Sequence, residues 1–214
     1  YKSVVTEIRF PVGAEVVFDM NPRVGVISID GRAYSSQEVP KTQLWLAGSV
    51  HSVAAQKVAN ATESVRYLFR GWSDGSSDAE RRINATGSLQ LTANYVKQYL
   101  LAVVTSPAGG TEEGGGWYDE GSTAILSMAP ISPMSDIWGT LGGRWKFDGW
   151  YEDDLLLTTG SSITVTMDRP HSIVVHWAAD YAMPTVILSF GIAVTVTAIA
   201  YLITRRRRAD SSGS

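Results

Sequence analysis

Three histidines are the side chains of this 214-residue chain best suited to acid–base or metal chemistry. His171 and His176 are five residues apart in a predicted strand, so they point to opposite faces and cannot share a metal ion. His51 lies alone in its own predicted strand. The chain has no cysteine, and it contains no HExxH motif, no nucleophile elbow and no phosphate-binding loop. We therefore predict no catalytic residue, no metal site and no cofactor. A serine activated by a histidine is the alternative that the sequence leaves open.

Two acidic clusters offer carboxylate oxygens, the ligands that calcium prefers. They are "DGSSDAE" at residues 74–80 and "DGWYEDD" at residues 148–154. Neither has the spacing of a known calcium loop, and both have the glycine and aspartate content of a hairpin turn. We favour solvated turns over calcium sites.

Charge is distributed unevenly along the chain. Residues 182–214 carry four arginines and one acidic residue, whereas residues 1–181 carry 14 basic and 20 acidic residues, a net charge of −6. A mildly acidic body does not attract nucleic-acid phosphate. We predict no nucleic-acid partner.

The uncharged segment "AMPTVILSFGIAVTVTAIAYLIT", residues 182–204, predicts a transmembrane helix. A helix of that length extends about 34 Å, enough to cross a hydrocarbon core of roughly 30 Å. A buried core helix is the alternative, but the segment lacks the polar stripe of such a helix. The lipid bilayer is therefore a predicted partner through residues 182–204.

Four consecutive arginines predict the orientation of this helix. Basic residues beside a membrane span remain cytoplasmic, so residues 205–214 would form a cytoplasmic tail and residues 1–181 would be extracellular. Such an orientation requires an export signal, which was either removed before Tyr1 or lies in a longer product of which this chain is the carboxyl-terminal part. The arginines are Arg205, Arg206, Arg207 and Arg208.

The body of the chain predicts antiparallel β-structure. "SLQLTANY" and "HSIVVHW" alternate apolar and polar residues, the pattern of half-buried strands. "ISIDGRAY" predicts two strands joined by a two-residue Asp30-Gly31 hairpin turn. The predicted fold class is all-β, with two small tandem sandwich-like domains and a single transmembrane α-helix.

The phrase Phe-x-Gly-Trp occurs twice, in "RYLFRGWSDG" and in "RWKFDGWYEDD". Other blocks recur in the same order: "AGSVHSVAA" matches "EGSTAILSMA", and "LTANYVKQY" matches "IVVHWAADY". Self-similarity at a separation of about 80 residues indicates a repeated domain. We predict a lead-in at residues 1–13, a first repeat at 14–98 and a second repeat at 99–181.

These blocks resemble the divergent internalin-type B-repeat family, whose β-rich modules occur in tandem on bacterial and archaeal surface proteins. The resemblance is carried by "GWYDEGSTAILSMA", "RWKFDGWYEDD" and "SSITVTMDRPHSIVVHWAADY" in the second copy, and by looser matches in the first. It implies an extracellular stalk or interaction module and offers no catalytic residues to carry over.

The repeated aromatic residues are predicted to fill the cores of the two repeats, since each side chain is large relative to an 80-residue domain. Exposed tryptophans could instead form a carbohydrate platform. Trp117 and Trp138 have no equivalents in the other copy and are better candidates for surface contact. The predicted core residues are Phe69, Trp72, Phe147 and Trp150.

Two sequons, at Asn60 and Asn84, are candidate glycosylation sites in polar turns of the first copy. Taken together, these features predict a single-pass surface protein with a structural, adhesive or interaction role, whose other partners are envelope or membrane-complex proteins. The alternative is a noncatalytic subunit, or the carboxyl-terminal part, of a larger membrane-bound complex or surface enzyme.

Overall fold

The computed structural model describes residues 13–107 and 114–211, with side chains of the last helix described as far as Arg206. The predicted lead-in lies outside these residues except for Gly13. The chain forms two units by its internal contacts. Of the described residues, the first contains 13–101, 116–123 and 166–171, and the second contains 102–107, 114–115, 124–165 and 172–211.

The described residues of the first unit form ten strands, and the last residues of the ninth are assigned to the second unit. They are β1 (Gly13–Asn21), β2 (Val26–Ile29), β3 (Arg32–Ser35), β4 (Lys41–Leu46), β5 (Val50–Ala55), β6 (Val58–Ala59), β7 (Val65–Trp72), β8 (Glu80–Asn84), β9 (Leu89–Ser106) and β10 (Gly116–Asp119).

The described residues of the second unit form six further strands and two helices. They are β11 (Thr123–Ser127), β12 (Ile131–Pro133), α1 (Ile137–Thr140), β13 (Arg144–Glu152), β14 (Leu155–Thr158), β15 (Ser162–Thr166), β16 (His171–Asp180) and α2 (Ala182–Ser211). The end residues Thr123, Thr166 and His171 belong by contacts to the first unit.

The units are not the two contiguous segments that were predicted from the sequence. The predicted boundary between residues 98 and 99 lies inside β9, whose contacts change unit only after Leu101. Strand β10 pairs with β9 from Gln98 to Leu101, and this pairing places residues 116–119 in the first unit. Each unit is therefore built from several segments that alternate along the sequence.

In the first unit, two sheets enclose one apolar core. One sheet has the strand order β3-β2-β5-β8, and the other contains β4, β1, β9, β7 and β6. The core contains residues of both sheets, including Phe18, Ile27, Val53 and Leu91. The alternation predicted for "SLQLTANY" is present, with Leu91, Ala93 and Tyr95 buried. A two-sheet sandwich of this kind matches the predicted all-β class.

Among the described strands of the first unit, one pair departs from the predicted antiparallel arrangement. Strand β1 pairs with β9 in parallel, from Val16 opposite Leu89 to Asn21 opposite Asn94. Parallel partners are far apart in sequence because they require a crossover connection, here strands β2 to β8. Short-range alternation carries no information about such a partner.

In the second unit, β13 lies between β12 and β16 and also pairs with β14, while β11 pairs with β15. Ile173, Val175 and Trp177 of β16 are buried, as the alternation in "HSIVVHW" predicts. The short helix α1 lies between β12 and β13, and α2 begins two residues after the end of β16.

The Phe-x-Gly-Trp phrase forms the same local structure in both copies. A register shift occurs between Phe69 and Gly71 against β9, and between Phe147 and Gly149 against β16. Such a β-bulge lets two residues of one strand face one residue of its partner. In both copies the bulge turns the following tryptophan into the core.

The tryptophans of the two bulges have equivalent surroundings. Trp72 is 2% exposed and Trp150 is 0% exposed. The indole Nε1 of Trp72 donates to the carbonyl of Asp78 at 2.9 Å, and that of Trp150 donates to the carbonyl of Gly160 at 3.0 Å. The two phenylalanines are half-buried, with ring centroids 5.7 Å (Phe69) and 5.5 Å (Phe147) from the tryptophans of their own copies.

Candidate functional site

The most distinctive polar cluster in the first unit joins Asp30, His51 and Ser49. The Nδ1 atom of His51 is 2.6 Å from Oδ2 of Asp30, and its Nε2 atom is 2.7 Å from Oγ of Ser49. These distances match the hydrogen-bonded order of a Ser-His-Asp triad. His51 is alone in its strand, as the sequence indicates, but it contacts two polar side chains from outside that strand.

Local structure explains how the three side chains meet. Asp30 and Gly31 occupy the β2–β3 turn with φ angles of 50° and 80°, the backbone of a type I′ hairpin. His51 lies on β5 with its ring stacked on Trp45 at a centroid distance of 3.9 Å. A hydrogen bond from His51, aided by the amide of Ser52, lowers the pKa of Asp30. The carboxylate is thus held in its charged form.

The serine hydroxyl of this cluster already has a role in its own turn. Oγ of Ser49 is 2.6 Å from the carbonyl of Leu46, so this carbonyl and His51 compete for a single hydroxyl proton. The amides of Gly48 and Ser49 donate to the carbonyls of Ala85 and Leu46. They are therefore not free to stabilise an oxyanion, which acyl transfer requires.

The second copy repeats this turn without the histidine. Oγ of Ser122 donates to the carbonyl of Asp119 at 2.6 Å, and the amide of Gly121 donates to Met167. The residue two positions after Ser122 is Ala124, where the first copy has His51. The hydroxyl therefore serves a turn shared by both copies, and the histidine is an addition particular to the first. The pattern Ser49-x-His51 was the available signal, because side chains two residues apart along extended backbone point to the same side.

The other two histidines have separate surroundings. Nε2 of His171 is 3.1 Å from the carbonyl of Thr166 and 3.2 Å from Oδ1 of Asp168. His176 stacks on Tyr151 at a centroid distance of 4.2 Å. Across residues 13–107 and 114–211, no group of three or more histidine, cysteine or acidic residues is arranged to hold a metal ion.

Both acidic clusters contain turns. Asp74 accepts hydrogen bonds from Arg81 and from the amide of Ser76, and the Arg81 bond is the main cause of its lowered pKa. Asp153 and Asp154, with φ angles of 50° and 63°, connect β13 to β14. These positive φ angles are those of a tight hairpin turn.

The two tryptophans predicted to make surface contacts differ in their neighbours. The ring of Trp117 is covered by the guanidinium of Arg66 at 4.4 Å, and Arg66 also donates to Gln98 at 2.8 Å. Trp138 lies on α1, is 38% exposed, and packs edge-on against Tyr181 at a centroid distance of 5.4 Å.

The candidate glycosylation residues are both exposed. Asn60 follows β6 with a φ angle of 45°, in a turn as predicted. Asn84 is the last residue of β8 rather than part of a turn, and it pairs with Val50. Both remain candidate acceptors by exposure.

Helix α2 is long and apolar enough from Ala182 to Arg206 to cross a membrane, and none of its most apolar stretch is buried. Phe190, Ile192 and Val196 are among its exposed large side chains. Arg205 and Arg206 are exposed, whereas the side chains of Arg207 and Arg208 lie outside the described residues.

Asp180 connects the second unit to the start of α2. Its Oδ1 accepts from the amide of Ala182 at 3.1 Å, and its Oδ2 lies 3.0 Å from both Arg144 and Lys146. Hydrogen bonds lower the pKa of Asp180 to about 2; the largest effect comes from the backbone amide of Ala182, followed by Lys146 and Arg144. The residue thus remains charged at neutral pH and links β13, β16 and the helix.

The fold and these clusters define an all-β repeat protein followed by an exposed apolar helix. No protein-family model matches the chain, and no curated protein matches it. The chain is similar to a solved structure described as "Streptococcal High Identity Repeats in Tandem (SHIRT) domains 3-4 from cell surface protein". The identity is 15%, the TM-score is 0.21, and the match covers 78% of this chain and 98% of that one. Membership of the internalin-type B-repeat family remains a prediction.

Proposed function

We propose that this chain is a noncatalytic surface protein, anchored by α2, whose two β-repeat copies give reach, adhesion or a binding surface outside the cell. The exposed apolar face of α2 carries this proposal. An apolar side chain of this size gains about 1.5–3 kcal/mol when it leaves water, so a helix whose most apolar stretch is entirely exposed needs an apolar environment. A bilayer supplies one for a single helix whose backbone groups are paired internally.

The arginines at the end of α2 support one orientation. Arg205 to Arg208 follow the span directly, whereas Asp180 precedes it, and basic residues beside a span favour the cytoplasmic side. The repeat copies would then lie outside, as expected for an internalin-type B-repeat protein. Envelope or membrane-complex proteins are the partners we propose for them.

The absence of catalysis is part of the proposal and is supported by the Ser49 turn. The hydroxyl that could act as a nucleophile makes the same carbonyl bond as Ser122, and the amides beside it are already paired. A turn that both copies need explains the serine without an enzymatic role.

Deleting residues 182–214 tests the anchor. We expect the full chain to remain with membranes after carbonate washing, and the truncated chain to be released as a folded protein with a β-type circular dichroism spectrum. A control in which Arg205 to Arg208 alone are replaced should keep the apolar segment and remain in the membrane. Retention of the truncated chain after the same wash would contradict the anchor assignment.

A further inference from the structure

The loop between β12 and β13 exposes two apolar side chains beside the start of α2. Ile137 is 71% exposed and Trp138 is 38% exposed. Both belong to α1, a single turn of helix with no buried residue. Exposed apolar residues are common singly, but two adjacent ones beside an apolar span form a small apolar patch.

The loop has a fixed conformation. Oδ1 of Asp136 accepts from the amides of Trp138 and Gly139 at 3.0 and 3.2 Å, and the amide of Gly143 donates to the carbonyl of Trp138 at 2.6 Å. A Cβ atom on Gly139 would lie 1.9 Å from the carbonyl oxygen of Met134. Only glycine permits this close approach, so the sequence specifies the loop conformation.

The loop lies beside Tyr181 and Met183, at the start of α2. The Trp138 ring packs on Tyr181, and a Cβ atom on Gly142 would lie 3.2 Å from Cβ of Met183. The ion pairs of Asp180 with Arg144 and Lys146 hold the strand that follows the loop to the same point. The position of the loop relative to the start of the helix is therefore set by packing and by charge.

This position coincides with the level at which a membrane surface would lie. The uncharged segment begins at Ala182, so the boundary between headgroups and hydrocarbon would fall beside Tyr181 and Met183. Tryptophan and tyrosine are enriched at that boundary, where an apolar ring and a polar edge are both accommodated. Ile137 directly precedes Trp138 on α1 and is exposed, so it would lie near the same layer.

We propose that α1 is a second membrane contact, in which Ile137 and Trp138 insert into the interfacial layer of the bilayer that α2 crosses. The proposal rests on the membrane anchor proposed above and adds a lipid-binding surface on the β-domain itself. Its ligand is the boundary between phospholipid headgroups and acyl chains, and the loop contributes apolar and aromatic contact rather than charge recognition.

The natural absence of cysteine allows a direct test with the full chain in phosphatidylcholine vesicles. Ile137→Cys is labelled with an environment-sensitive nitrobenzoxadiazole dye, and quenching is compared between lipids with nitroxide groups near the headgroup and near the chain end. Leu155→Cys is the matched control, because Leu155 is 68% exposed. Leu155 pairs with Glu152 at the end of β13 that is far from the proposed membrane surface. Glu152 is eight residues, or about 26 Å of strand, from Arg144, which pairs with Asp180 beside the helix.

We expect the dye at position 137 to emit at shorter wavelength than the dye at 155. We also expect severalfold stronger quenching at 137 by the headgroup-level nitroxide than by the deep nitroxide. Equal, weak quenching at both positions in protein that floats with the vesicles would overturn the loop contact and leave the anchor intact. A short emission wavelength at 137 without lipid quenching would indicate a protein partner and also overturn it. Protein that fails to float would instead contradict the anchor.

As a second variant, Trp138→Phe with the dye at position 137 keeps an aromatic ring against Tyr181. We expect it to preserve the depth of the dye, whereas Trp138→Asp should reduce the headgroup-level quenching severalfold. An unchanged depth in Trp138→Asp would contradict insertion of the loop.

Discussion

Replacing Trp150 with alanine should destabilise the second repeat strongly. Trp150 is 0% exposed, packs on Phe147, and satisfies the carbonyl of Gly160 through its indole N–H. Truncating a buried aromatic residue costs about 3–5 kcal/mol, because apolar contact is lost and a cavity remains. Loss of the hydrogen bond to the carbonyl of Gly160 adds to this cost, because a typical hydrogen bond contributes about 1 kcal/mol to stability. We therefore expect Trp150→Ala to fall toward the upper part of the range.

Urea unfolding of the full chain in mild detergent, followed by circular dichroism, measures this loss. With a slope of about 1–3 kcal/mol per molar urea, a loss of 3 kcal/mol or more lowers the midpoint by about 1 M or more. Trp72→Ala provides an internal replicate, because Trp72 is 2% exposed and donates to Asp78 in the same way. Leu155→Ala is the surface control and should change stability by less than about 0.5 kcal/mol.

An unchanged midpoint in both tryptophan variants would show that neither side chain stabilises a core. If the same variants also lost binding to a carbohydrate, the tryptophans would be a binding platform. A loss in Trp150→Ala alone would indicate that the two bulges are not equivalent in their energetics.

Two further predictions concern polar groups. Ser49→Ala and Ser122→Ala should each lower the free energy of unfolding by about 0.5–1.5 kcal/mol in the same urea assay, because both hydroxyls donate to a turn carbonyl. A fluorophosphonate probe should not label Ser49. Covalent labelling there would contradict the noncatalytic proposal. Asp180→Asn should be less stable than wild type at neutral pH, because the bonds from Ala182, Lys146 and Arg144 favour the charged carboxylate and lower its pKa. The stability advantage of wild type is fully present above pH 3.8, the ordinary pKa of aspartate, and is lost as the pH falls through about 2. The two proteins should therefore converge in stability over that interval. A difference that persists below pH 2 would contradict the assigned charge of Asp180.

Local features of the fold could be predicted from the sequence, because they depend on neighbouring residues. Alternation identified the buried face of β16, and Asp30-Gly31 identified the β2–β3 turn, since both follow from backbone geometry within a few residues. The repeated Phe-x-Gly-Trp phrase likewise indicated a repeated domain, and the structure adds that both copies form the same bulge there.

Features that depend on distant residues were missed. His51 meets Asp30 across 21 residues only because β2 and β5 are neighbours in the sheet. The parallel pairing of β1 with β9 and the interleaved units depend on strand order, which alternation does not encode. Trp138 was identified as a surface candidate, but its contact with Tyr181 required the structure.

Protease treatment of intact cells tests the central claim, a membrane anchor with the repeats outside, most directly. The account predicts that residues 1–181 are digested and that a small protected fragment remains, containing α2 and the tail "RRRRADSSGS". Neutral replacement of Arg205, Arg206, Arg207 and Arg208 should weaken this orientation, because the basic flank sets it. Recovery of a protected fragment that contains the Phe-x-Gly-Trp repeats, with the tail digested, would contradict the account.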